Sequence, residues 1–66
     1  MNKIIGRNLK SAREKIGYTQ TQIAKYLKIS RSTLCNYEAG KKSIPSDKLY
    51  LLAKLYNTSV LLLFKE

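Results

Sequence analysis

Between Thr19 and Gly40 the chain reads TQTQIAKYLKISRSTLCNYEAG, and the spacing of its apolar residues leaves little freedom in how it folds. Ile23, Ala24 and Leu27 come first, then Ile29, then Leu34 and Tyr37. That is the period of two short amphipathic helices, joined by a connection too short to let them drift apart. Both starts are chemically marked. Thr19, with Gln22 three residues on, fits a capping box, and Tyr18 with Ile23 fits the hydrophobic staple around it. Ser30 suits the cap of the second helix, with Ile29 and Leu34 as its staple. Ala24 falls where a closely crossing helix leaves no room for a larger side chain.

Two helices so joined are the pattern of a DNA-binding helix-turn-helix. The segment resembles the phage repressor and Cro (XRE) family of regulators. The residues that carry the resemblance are Gln20 at the opening of the first helix and Ala24 at the crossing. With them goes the tail Tyr37-Glu38-Ala39-Gly40-Lys41-Lys42, leading to Pro45-Ser46. The resemblance runs from about Ile5 to Phe64. It implies an all-α, compact five-helix, lambda-repressor-like DNA-binding domain over residues 1–66, with the helix-turn-helix formed by helices 2 and 3. One departure is Lys28, where the family usually has glycine. If the backbone is left-handed there, a lysine costs about 1 kcal/mol.

Length allows one domain, with a core that must be efficiently packed. Thirteen Lys and Arg against four Asp and Glu give a net charge of +9. That balance favours a polyanionic partner, with nucleic acid ahead of a membrane surface. No apolar run is long enough to span a bilayer, and the N-terminal MNKIIGRNLKSAREK has no signal-peptide core. The single cysteine, Cys35, forms no internal disulfide, which agrees with a cytoplasmic location. There is no histidine, no glycine-rich phosphate loop and no metal-ligand spacing, so neither an enzyme nor a cofactor or metal is expected. Cys35 has no histidine to activate it and reads as a small, partly exposed filler. A redox role would need a lowered thiol pKa.

Taken in order, the chain opens with a helix from about Lys3 to Ile16, with Ile5, Leu9, Ala12 and Ile16 on one face and Gly17 as its left-handed stop. Lys3, Arg7, Lys10 and Lys15 lie on other faces and read as solvated surface. Arg13, next to Ala12, borders the core face. The resemblance implies that it forms an ion pair with Glu38, tying the first helix to the end of the third. A fourth helix follows Pro45, with Ser46 as cap and Asp47 in its first turn. Leu49, Leu52, Ala53 and Tyr56 form its buried face, with Leu55 beside them, and Asn57 is a second left-handed stop. The last helix is short, from Ser59 to about Lys65.

The third helix, roughly Ser30 to Ala39, turns Arg31, Ser32, Thr33 and Asn36 outward. These types suit the major groove: arginine reads guanine, asparagine reads adenine, and the hydroxyls adapt. By resemblance, the loop Lys41-Lys42-Ser43 lies along the DNA backbone. Thr19 and Gln20, at the positive end of the second helix, and Ser30, at that of the third, take phosphates. In the last helix Val60, Leu63 and Phe64 share the side that completes the core, and Leu61 and Leu62 point elsewhere. Two adjacent leucines without cover suggest a homodimer, which would set two recognition helices about 34 Å apart on a roughly palindromic operator. The reading is a double-stranded DNA-binding transcriptional regulator, a repressor by resemblance, controlled by its own concentration or by a separate regulatory protein. Two alternatives stay open. One is a protein-interaction module, such as an antitoxin. The other is an RNA-binding domain, disfavoured because Tyr supplies nearly all the aromatic residues available for base stacking.

Overall fold

Five helices make up all the regular structure in a computed structural model that describes residues 1–66. They are α1 (Asn2–Ile16), α2 (Gln20–Leu27), α3 (Arg31–Ala39), α4 (Ser46–Leu55) and α5 (Val60–Leu63). The capping chemistry fixes most of these boundaries. Thr19 Oγ1 accepts from the Gln22 amide at 3.1 Å, and Gln22 Oε1 accepts from the Thr19 amide at 2.9 Å, which closes the capping box of α2. Ser30 Oγ accepts from the Thr33 amide at 3.0 Å and starts α3. Gly17 (φ 101°) and Gly40 (φ 76°) end α1 and α3 in the left-handed region. Lys28 ends α2 there too, at φ 59°, as does Asn57 before α5, at φ 56°.

Leu9, Ile23, Leu34 and Leu52 are fully enclosed, one from each of the first four helices. Leu63 brings α5 into the same core. At roughly 2 kcal/mol for each buried side chain of this kind, these contacts dominate the stability of so small a body. α1 packs along α3, α2 packs on α3, and α5 closes against α1 and α4. The α1–α3 approach is unusually close. A Cβ on Gly6 would strike the carbonyl oxygen of Tyr37 and lie within 2.6 Å of that of Glu38.

Four expectations need correction. Ile16 is 45% exposed, because the last turn of α1 runs past the core. Ser46 is not the cap of α4 but its first helical residue. The Pro45 carbonyl already accepts from the Leu49 amide, and no side chain caps this end. Helix α5 stops at Leu63, short of Lys65. Asn8 Nδ2 donates to the carbonyls of Leu63 (2.8 Å) and Lys65 (2.7 Å), binding the tail to α1. With the helix ended, Phe64 is 38% exposed rather than in the core, while Val60 is half-buried.

Candidate nucleic-acid interface

The second and third helices carry the surface of interest, and a buried ion pair sets how they meet. Arg13 and Glu38 are each 7% exposed. Arg13 Nε donates to Glu38 Oε2 at 2.8 Å and Arg13 Nη2 to Glu38 Oε1 at 3.2 Å, a two-pronged contact. This hydrogen bonding raises the guanidinium pKa above its already high ordinary value, against the opposing effect of burial. Arg13 Nη1 also donates to the Tyr18 carbonyl at 2.8 Å, holding the loop that precedes α2. Gln20 Nε2 donates to Glu38 Oε1 at 2.9 Å. One carboxylate thus gathers α1, α2 and α3. Desolvation offsets much of the attraction in such a pair, so its main effect is on geometry.

Around this hub the site residues fall into groups. Arg31 and Ser32 are exposed on the first turn of α3, and Asn36 is half-buried one turn later. Thr33 is half-buried, with its hydroxyl 2.8 Å from that of the capping Ser30. An open depression beside the start of α2 brings together Lys10, Arg13, Thr19, Gln20, Thr21 and Arg31. Lys41, Lys42 and Ser43 lie apart from it, exposed in the loop after Gly40, where Ser43 Oγ donates to Asn2 Oδ1 at 3.1 Å. The candidate phosphate-binding residues therefore bracket α3, one group at its N-terminus and one beyond its C-terminus. A helix of this length separates them by roughly 13 Å. Leu61 and Leu62 are 81% and 50% exposed and lie outside this surface, on α5.

A helix-turn-helix family model matches residues 9–63 of the chain. The chain belongs to the Cro/C1-type helix-turn-helix family of DNA-binding transcriptional regulators. The transcriptional regulator ImmR of Bacillus subtilis is 44% identical over 55 residues, which is 83% of this chain and 43% of ImmR. The antitoxin PezA of Streptococcus pneumoniae is 34% identical over 56 residues, 85% of this chain and 35% of PezA. A competence pilus inhibition repressor of Acinetobacter baylyi is 37% identical over 60 residues, 91% of this chain and 54% of the repressor. The chain thus spans about half or less of the length of these relatives. No solved structure matches it.

As a helix-turn-helix domain the chain is an all-α body, and none of its helices is long and apolar enough to cross a membrane. No three His, Cys, Asp or Glu side chains converge as metal ligands. Cys35 is exposed on α3. Three contributors to the site escaped the sequence reading. Lys10 is solvent-exposed, as its position on α1 predicts, and it also lines the depression. The start of α2 marks Gln20 for phosphate, and nothing in the sequence signals its bond to Glu38. Gly6 lets the end of α3 approach α1, and the signal was there: glycine inside a helix is costly unless something needs the space.

Proposed function

We propose that this domain binds double-stranded DNA as a homodimer, on a roughly palindromic operator, and represses transcription there. The observation that carries the proposal is the exposure of Arg31 and Ser32 on the first turn of α3, with Lys10, Thr19 and Gln20 to one side and the exposed Lys41 and Lys42 beyond the other end, on a chain of charge +9. In this reading α3 enters the major groove. Arg31 donates to a guanine, Asn36 pairs with an adenine, and Ser32 and Thr33 adapt to neighbouring bases. Thr19, Gln20 and Ser30 hold phosphates at the start of the motif, and Lys41, Lys42 and Ser43 hold them at its end.

The second copy meets the first through Leu61 and Leu62. Support comes from their exposure and from Ile16, itself 45% exposed, which shares with Leu62 a groove whose lining is half polar, Asn8, Lys15 and Asn57 among it. A two-fold contact would cover the two leucines and Ile16, with the polar groove residues at its rim.

Titration with random-sequence duplex DNA over a range of salt tests the DNA reading. Affinity should fall steeply with salt, and Lys41→Ala or Lys42→Ala should each lower the slope by about one. A salt-independent affinity, or a preference for single-stranded RNA over duplex, would refute it. Likeness to the antitoxin PezA supports a second reading, in which the scaffold chiefly holds a partner protein. Weak duplex binding that is indifferent to Arg31, Lys41 and Lys42 would favour that one.

A further inference from the structure

Glu38 is buried, only 7% exposed, yet its carboxylate accepts a bond from Gln20 at the open depression beside α2. Oε2 takes Arg13 Nε, while Oε1 takes both Arg13 Nη2 and Gln20 Nε2. We propose that Glu38 is a positioning residue for DNA binding, fixing the Gln20 carboxamide so that its second N–H meets a backbone phosphate. This rests on the DNA-binding reading above and assigns Glu38 a role beyond its ion pair.

A primary carboxamide has two N–H donors, and Glu38 occupies one. The other belongs to a side chain that lines the depression with Lys10, Thr19, Thr21 and Arg31. The main-chain N–H groups of Gln20 and Thr21, in the first turn of α2, have no backbone partner there. Amides at a helix start favour an anion, and Lys10 and Arg31 add positive charge at the rim. A glutamine left free would have to be ordered when DNA binds. Held by Glu38, it loses that freedom on folding instead, and binding becomes tighter for the same contact.

Arg13 completes the logic. A lone carboxylate behind a phosphate site would repel the phosphate. Paired with the guanidinium at 2.8 Å, Glu38 keeps its acceptor oxygens while its charge is offset.

The test follows the two Gln20 side-chain amide protons by NMR in the full chain, titrated with random-sequence duplex DNA. One proton, bonded to Glu38, should hold its position, and the other should move downfield as phosphate binds. In parallel, Gln20→Met should weaken duplex binding on the order of 10–100-fold regardless of sequence, with little change in melting temperature. Glu38→Gln should weaken binding in the unsubstituted protein but add nothing to Gln20→Met. The spectroscopic arm needs no substitution, so it decides the matter even if Glu38→Gln does not fold. Both Gln20 amide protons at the shifts of a solvated carboxamide, no shift with DNA, or full affinity in Gln20→Met would overturn the positioning role alone. Failure of the unsubstituted protein to bind duplex would overturn the DNA-binding reading along with it.

Discussion

Tyr56 carries the one buried side-chain polar atom without a hydrogen-bond partner. Its ring lies 6.5 Å from that of Tyr18, centroid to centroid, and burial pushes the phenol pKa well above its ordinary value. The unfolded chain ionises Tyr near pH ~10, while the folded chain resists. The contribution to stability is therefore whole below about pH 10 and is lost as pH rises beyond it. Tyr56→Phe removes an unsatisfied hydroxyl, so it should stabilise the fold by about 1 kcal/mol at neutral pH and reduce its alkaline loss, as read by urea denaturation. At the interface, Arg31→Ala should cost about 1–3 kcal/mol on the preferred duplex and relax discrimination at one base position. Equal weakening on every sequence would make Arg31 a phosphate contact. Residue roles were legible where local chemistry sets them, as with Thr19, Gln22 and Ser30. The Gln20–Glu38 bond joins side chains 18 positions apart and leaves no pattern in either neighbourhood.

At the scale of elements, stops proved easier to read than starts without a side-chain cap. Gly17, Gly40 and Asn57 adopt the left-handed conformation anticipated for them, because few residue types tolerate it. Ser46 reads as the cap of α4 because serine is a good cap in general, but the cap is one residue earlier, where Pro45 supplies the carbonyl. Ile16 fits the apolar period of α1, but periodicity does not say where the neighbouring helices end. Lys28 sits at φ 59° with its amide bonded back to Ala24 and Lys25. Lys28→Gly should relieve the strain and raise stability by roughly 0.3 kcal/mol in thermal or urea unfolding, since glycine's greater unfolded-state entropy offsets much of the gain. Unchanged or lower stability would mean that lysine is unstrained in this turn.

For the whole molecule, the five-helix arrangement followed from caps, periodicity and family resemblance together, whereas assembly turns on a surface that periodicity only hints at. Leu61 and Leu62 are exposed on a one-turn helix whose remaining residues serve the core. Copies of charge +9 repel one another, so self-association through this patch should strengthen with salt while DNA binding weakens. Sedimentation should show a concentration-dependent dimer that Leu61→Lys/Leu62→Lys abolishes without unfolding the monomer. A protein that stays monomeric at high concentration and binds DNA as a single copy would remove the dimer from the account. The most direct measurement of the central claim is selection of bound sequences from a random duplex pool. The account predicts enrichment of two half-sites related by a dyad, with centres about 34 Å, or one helical turn, apart. A pool that emerges without any preferred sequence would contradict it.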